Sequence, residues 1–378
     1  MKKILFLTGT RADYGKIKSL MKKVEESNEF ELFVFVTGMH MLSKYGGTYR
    51  EVEKDGFKNI YKHINQKSSS SEQMDLILGN TISGLSNYIS EVKPDLIVVH
   101  GDRLEALAGA IVGAFNNIKV MHIEGGEVSG TIDESIRHSI TKLAHFHLVA
   151  NEEAKKRIMQ LGEKEKNIFV FGSPDIDIMY SDKLPKMKEI NERYNLDFEN
   201  YSILMYHPVT TEVEKLTSNV RNLVDAVIES ERNYIVIYPN NDNGSDIILK
   251  EYSRFENNQN IKVFPSMRFE AFLTLLKNCD FIIGNSSSGI REASVYGKVA
   301  IDLGNRQKGR YDENVENIIH CVEDKDLILE KIKLSDKIDA KAISYFGEGN
   351  SDDIFLDIIN NEDIWESDIQ KKFNDIDF

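Results

Sequence analysis

Short apolar runs that end in glycine-rich or polar turns and lead into helical patterns recur along the whole chain, and this alternation restricts the fold more than any other feature. Residues 3–8 (KILFLT) run into the turn 9–15 (GTRADYG) and then into apolar positions Ile17, Leu20, Met21 and Val24 at helical spacing. Strand, glycine turn and helix in that order open a Rossmann-like unit. Further strands are expected at 31–37, 95–99, 119–123, 145–150 and 167–171, with a helix over 74–92. A second series follows at 202–206, 234–238, 260–264, 280–283 and 299–303. A chain of 378 residues exceeds the usual size of one core. The expected fold is therefore α/β, with two Rossmann-like domains facing each other across a cleft, over residues 1–172 and 173–360. The charged stretch 181–200 is a candidate crossing between them.

Charge narrows the partners. The formal net charge is −14, and no basic stripe is present to follow a phosphate backbone, so nucleic acid is not an expected partner. Two cysteines, Cys279 and Cys321, give no metal spacing and no disulfide framework. The apolar run at the N-terminus is too short for a signal peptide and reads as a strand. No stretch has the length of a membrane span, and a cytoplasmic location is expected. The polar run 66–72 (QKSSSSE) reads as a connecting loop that is a candidate lid.

Chemistry concentrates in residues 100–138. The segment carries Asp102, Glu105, Glu124, Glu127 and Asp133 with Arg103 and Arg137, near the ends of two expected strands and the starts of two helices. Carboxyl ends of parallel strands are where open α/β sheets place their ligands. Thr131 and Glu134 have the spacing of a capping box, which puts Asp133 in a first helical turn, where it can complement the dipole or pair with Arg137 one turn on. Asp102, Glu124 and Asp133 together would repel one another if left unneutralised and unused. Glu105 falls on a helix face and Glu127 has no assigned role. His145 and His147 share a strand face, but no third ligand is spaced to join them, so no metal is expected. Arg11, in the first turn, can meet a phosphate or pair with Asp13.

The second half carries polar loops at its strand ends. His207-Pro208-Val209-Thr210-Thr211 follows the first of them, with Thr211 and Glu214 spaced as a capping box. Asn240 follows the next. The loop 284–292 (GNSSSGIRE) brings hydroxyls and backbone N–H groups to a helix start, a suitable seat for a diphosphate. Glu292, one turn into that helix, is placed to accept ribose hydroxyls. Arg306 lies beyond the last strand.

At these segments the chain resembles the UDP-N-acetylglucosamine 2-epimerases, and within them the hydrolysing branch that makes N-acetylmannosamine for bacterial sialic acid synthesis. TGTRADYGK, VTGMHM, HGDRLEALAGA, HIEGGEVSGTIDESIRHSI, HPVTTE, YPNND, GNSSSGIREA and LGNRQ stand in family order over essentially the whole chain. Non-hydrolysing members typically carry HVEAGLR-like and PEE-like segments where this chain has HIEGGE and TIDES. The resemblance implies a fold like that of the B-type glycosyltransferases (GT-B-like), in which the tail 361–378, including Trp365, crosses back to the first domain. It implies UDP held by His207, Asn240, Ser286, Ser287, Glu292 and Arg306, with Arg11 and Arg103 contributed by the first domain. It further implies a UDP-sugar substrate, no cofactor, no metal and a homodimer.

Chemically, the resemblance implies that one carboxylate among Asp102, Glu124 and Asp133 removes the C2 proton of the sugar while UDP departs, helped by His207. Water then adds to the resulting 2-acetamidoglucal with protonation from the opposite face. Two carboxyl groups in different protonation states serve such a sequence. Three other readings stay open at this level: a 2-epimerase acting on UDP-N,N'-diacetylbacillosamine, a glycosyltransferase of the same fold, and a non-catalytic nucleotide-sugar binding protein.

Overall fold

The computed structural model describes residues 1–67, 73–129, 131–181, 184–309, 311, 315–343 and 345–375. Most of the expected loop at 66–72 lies outside the described residues. The chain folds as two compact units: residues 1–127, 133–181 and 346–378 form one, and residues 128–132 and 182–345 the other. The divisions at Ser181 and Phe346 lie later and earlier than the boundaries at 172 and 361 expected from the sequence. Part of the reason is local. The Ser351 hydroxyl and the backbone N–H groups of Ser351 and Asp352 all donate to Asp177, which ties the helix Ser351–Asn360 to the helix Pro174–Tyr180.

The first unit is built on a seven-stranded parallel sheet. Its strands are β1 (Lys2–Thr8), β2 (Phe30–Val36), β3 (Ile60–Lys62), β4 (Leu96–His100), β5 (Lys119–Ile123), β6 (Phe146–Val149) and β7 (Ile168–Val170), in the order β3-β2-β1-β4-β5-β6-β7. Both faces are covered, as a parallel sheet requires. Ile4 and Phe6 of β1 pack with Ile17, Leu20, Phe355 and Ile359, while Leu5 and Leu7 pack into the opposite core with Leu85, Ile97 and Val99. Small residues let the helix Leu104–Phe115 lie close to the sheet: a Cβ on Gly109 would stand 2.6 Å from Val99 Cγ1. Trp365, in the helix Glu362–Glu366, packs its ring near Phe30 and donates its indole N–H to the Ile359 carbonyl at 2.8 Å.

The second unit holds β8 (Ser202–Met205), β9 (Tyr234–Ile237), β10 (Ile261–Phe264), β11 (Phe281–Gly284), β12 (Val299–Leu303) and β13 (Ile318–Cys321), in the order β10-β9-β8-β11-β12-β13. Each sheet reverses its strand order once, beside β1 and β4 in the first and beside β8 and β11 in the second. Ligands of open α/β sheets bind at the carboxyl ends next to such reversals. β3 and β13 were not anticipated from the sequence. The expected capping box at Thr211 is also corrected: that helix runs Val213–Glu229, preceded by Glu212 with no side-chain cap. Among the described residues no helix is long and apolar enough to cross a membrane.

Candidate active site

At the end of β1 one carboxylate organises the turn into the helix Arg11–Glu26. Asp13 accepts from the Thr8 hydroxyl at 2.7 Å, the Thr10 N–H at 2.9 Å and the Gly9 N–H at 3.0 Å, while the Thr10 hydroxyl caps the Asp13 N–H. This reciprocal capping box takes Asp13 away from Arg11, whose guanidinium instead reaches Glu51 at 2.7 Å. His40 is buried against the Thr8 and Thr48 hydroxyls, and burial pushes it down to about 4, so it packs there as a neutral ring.

The acidic cluster gathers at the ends of β4 and β5. His122 on β5, neutral because burial pushes it down to about 3, donates from Nε2 to the Gly101 carbonyl at 2.8 Å and so pins the turn that presents Asp102. Arg103 begins the next helix and donates to Glu105 at 3.3 Å. Glu105 lies in the helix Leu104–Phe115, on its buried face: it is 2% exposed, with its carboxylate over Gly9 and Gly38. Glu124 follows β5 with φ at +66°, the left-handed region that side chains avoid. Its Oε1 lies 3.6 Å from Lys16 Nζ and 3.5 Å from His100 Nε2, and Lys16 also stands 3.5 Å from the fully buried Asp175.

The acids are not unneutralised, as the sequence suggested. Arg137, on the helix Ile132–Leu143 and only 1% exposed, donates from Nη2 to Asp102 and from Nη1 to the Glu127 carbonyl at 3.2 Å. Burial works against its charge, but Asp102, Glu127, Glu124 and Asp133 outweigh it and hold Arg137 above its ordinary value. Asp133 sits in the first turn of the same helix, as expected. His145 and His147 both make protein contacts: Nδ1 of His145 accepts from the Val120 N–H at 3.1 Å, and His147 Nε2 lies 3.2 Å from Glu163. Among the described residues no group of three or more His, Cys, Asp or Glu side chains is gathered to hold a metal ion.

In the second unit Asn285 ties three loops together. Its side chain accepts from the His207 N–H at 2.7 Å and donates to the His207 carbonyl at 2.9 Å. Its own carbonyl accepts from Arg306 at 3.2 Å and Gln307 at 2.8 Å. Gly284 before it has no substitute: φ is +137°, and a Cβ would fall 1.8 Å from the Met205 carbonyl oxygen. The His207 Nδ1 accepts from the Asn240 N–H at 3.1 Å, so a neutral His207 ring carries its proton on Nε2. Ser286 caps the short helix Ser287–Ile290 by accepting from the Ser288 N–H at 3.3 Å. Glu292 is not one turn into a continuous helix. Arg291 interrupts it, and a fully buried Glu292 opens a second segment, Glu292–Val295.

Of the residues singled out from the sequence, Asp102, Glu124 and Asp133 thus share the surroundings of Arg137, and His207, Ser286 and Arg306 adjoin Asn285, with Asn240 held on His207. Arg11 and Arg103 stand at the neighbouring ends of β1 and β4. Lys16, His100, Asp175 and Asn285 carry no role in the sequence reading, and Arg137 only that of a partner for Asp133. Only the spacing Thr10-x-x-Asp13 was a local signal that went unread; the others act through tertiary contacts.

A family model described as UDP-N-acetylglucosamine 2-epimerase matches residues 22–360. A UDP-N-acetylglucosamine 2-epimerase of Neisseria meningitidis serogroup B is 47% identical over all of both chains. A UDP-N,N'-diacetylbacillosamine 2-epimerase (hydrolyzing) of Legionella pneumophila is 33% identical over 93% of each chain. The polysialic acid biosynthesis protein P7 of Escherichia coli is 35% identical over 91% of this chain and 88% of its own. In fold, the UDP-GlcNAc 2-epimerase of Methanocaldococcus jannaschii, solved with UDP-GlcNAc and UDP, matches with a TM-score of 0.79 at 22% identity over 95% of this chain and 99% of that one. Two parallel-sheet α/β units of GT-B-like type and matches over nearly the full length agree: the chain belongs to the UDP-N-acetylglucosamine 2-epimerase family.

Proposed function

We propose that the protein is a hydrolysing UDP-N-acetylglucosamine 2-epimerase that converts UDP-N-acetylglucosamine and water to N-acetylmannosamine and UDP, supplying sialic acid synthesis for a surface glycan. The observation that carries this is the set of carboxylates at the ends of β4 and β5, held about one buried guanidinium. A sugar C2–H is hardly acidic, so its removal needs a positioned carboxylate. The electron pair of that bond becomes the C1–C2 double bond as the C1–O pair leaves with UDP. Water then supplies hydroxide to C1, and C2 takes a proton on the opposite face from a second carboxyl group, among Asp102, Glu124 and Asp133.

The nucleotide falls to the loops around Asn285. Ser286, Ser287 and Arg306 meet the diphosphate, Glu292 the ribose, Asn240 the nucleotide loop, and His207 stabilises or protonates the departing phosphate from Nε2. Arg11 and Arg103 are the further cations assigned to the phosphates in this reading. The names of the relatives support the reading: one is called hydrolyzing and another belongs to polysialic acid biosynthesis. The Legionella relative favours one second reading, with UDP-N,N'-diacetylbacillosamine as substrate. Assaying both UDP-sugars side by side without an acceptor tests the proposal. Release of UDP and N-acetylmannosamine supports it; preference for the diacetylated sugar favours the second reading. Release of nothing from either would leave a binding protein or a transferase.

A further inference from the structure

An elimination that relies on carboxyl groups of equal chemistry needs one of them ionised and another protonated at the start. We propose that Arg137 is the positioning residue that breaks this equivalence, holding Asp102 ionised and in one orientation so that Asp102 is the base that takes the C2 proton. The proposal rests on the elimination reading above and assigns a role within it.

Three observations converge on Asp102. Arg137 donates to it directly from a site that is 1% exposed, and a buried guanidinium keeps both its own charge and that of a carboxylate bonded to it. The second arm of the guanidinium is fixed on the Glu127 carbonyl at 3.2 Å, so the fork cannot swing away without breaking the turn after β5. The Asp102 side chain nevertheless remains 25% exposed, whereas that of Glu124 is 10% exposed. A base must be ionised, oriented and within reach of substrate, and Asp102 meets all three conditions. Glu124 has other cationic neighbours, Lys16 at 3.6 Å and His100 at 3.5 Å.

In the step itself the Asp102 carboxylate forms an O–H bond with the C2 hydrogen, the C2–H pair becomes the double bond, and the C1–O pair leaves on UDP. The charged groups acting on the guanidinium are Asp102 after β4, Glu124 and Glu127 after β5 and Asp133 on its own helix, and the buried neutral ring of His122 on β5 lies in the same field. With Arg137 removed, repulsion from the remaining acids makes Asp102 harder to ionise, so the acidic limb of kcat/KM moves to higher pH.

The test compares Arg137→Met, Arg137→Lys and Asp102→Asn with the wild type. UDP release is followed from pH 5 to 9, deuterium at C2 is read in heavy water, and UDP affinity and circular dichroism report the fold. Expected for Arg137→Met is a fall in kcat of about 100-fold at pH 7, UDP affinity within about twofold, and an acidic limb raised by about one unit or more. Arg137→Lys should shift the limb less, and Arg137→Met should add little to Asp102→Asn, because the two act as one unit. An unmoved limb in folded Arg137→Met overturns the proposal, as does an equal further loss in the Asp102→Asn background. Should Arg137→Met fail to fold, an unmoved limb in Arg137→Lys, with its kcat still reduced, overturns it too. Absence of C2 deuterium in the wild type removes the elimination reading itself, whereas wild-type deuterium with an unmoved limb removes only the role of Arg137.

Discussion

Glu124 combines a proposed catalytic carboxylate with a strained backbone, and the two can be separated by substitution. Its φ of +66° places an L residue in the left-handed region, which costs about 1–2 kcal/mol. Glycine relieves that strain but gives the unfolded chain additional freedom worth about 0.4–1 kcal/mol. Glu124→Gly and Glu124→Ala both remove the carboxylate from Lys16 and His100, and in both Lys16 keeps Asp175 at 3.5 Å. Their difference therefore isolates the backbone. Glu124→Gly should be the more stable by up to about 1.6 kcal/mol, read from urea unfolding midpoints at pH 7.5. Both should lose turnover, and Glu124→Gln, which keeps the shape of the side chain, should lose about 10²- to 10⁴-fold in kcat while UDP still binds. An alanine variant as stable as the glycine variant would refute the strain argument, and a Glu124→Gln enzyme with wild-type turnover would remove the residue from the chemistry.

Other expectations follow from the same contacts. Asp102→Asn should lower turnover by about 10²- to 10⁴-fold and leave UDP affinity, measured by calorimetry, within about threefold, since the proposed nucleotide loops are not part of its surroundings. Asn285→Ala leaves the His207 N–H and carbonyl without their side-chain partner, each worth about 1–3 kcal/mol if buried and unsatisfied, and should weaken UDP binding at least tenfold; an unchanged affinity would show that Asn285 does not hold the loops. His40 and His122 lie at about 4 and about 3 in the folded protein against 6.5 when free. The unfolded chain therefore binds protons first as pH falls, so stability is full above about pH 6.5 and declines below it. From pH 7 to pH 5 the loss should be about 2 kcal/mol for each imidazole, and the same denaturation midpoint at both values would contradict it.

The alternation of apolar runs made both sheets legible because a parallel strand is buried on both faces and announces itself as a continuous apolar segment. β3 escaped because it is a three-residue edge strand whose Tyr61 and Lys62 are exposed, and β13 because His320 interrupts its apolar run. Thr211 had the right spacing for a cap, but one more turn through Glu212 intervenes before the helix starts at Val213. The acids could be named from sequence, but not their partners. The spacing of Asp133 and Arg137 suggested an interaction within one helix, and Asp133 does act on Arg137, but the fold also carries Asp102 to Arg137 from 35 residues away. Burial of Glu105 depends on Gly9 and Gly38, from two other strand ends, and the double hydrogen bond of Asn285 to His207 spans 78 residues. Such contacts leave no local pattern to read.

The proposed reaction is tested most directly by turning over UDP-N-acetylglucosamine with the wild-type protein in heavy water and following C1, C2 and the nucleotide by NMR. The elimination and hydration sequence predicts free UDP together with N-acetylmannosamine that carries one deuterium at C2. Product without deuterium at C2, or an epimerised sugar still joined to UDP, would contradict it.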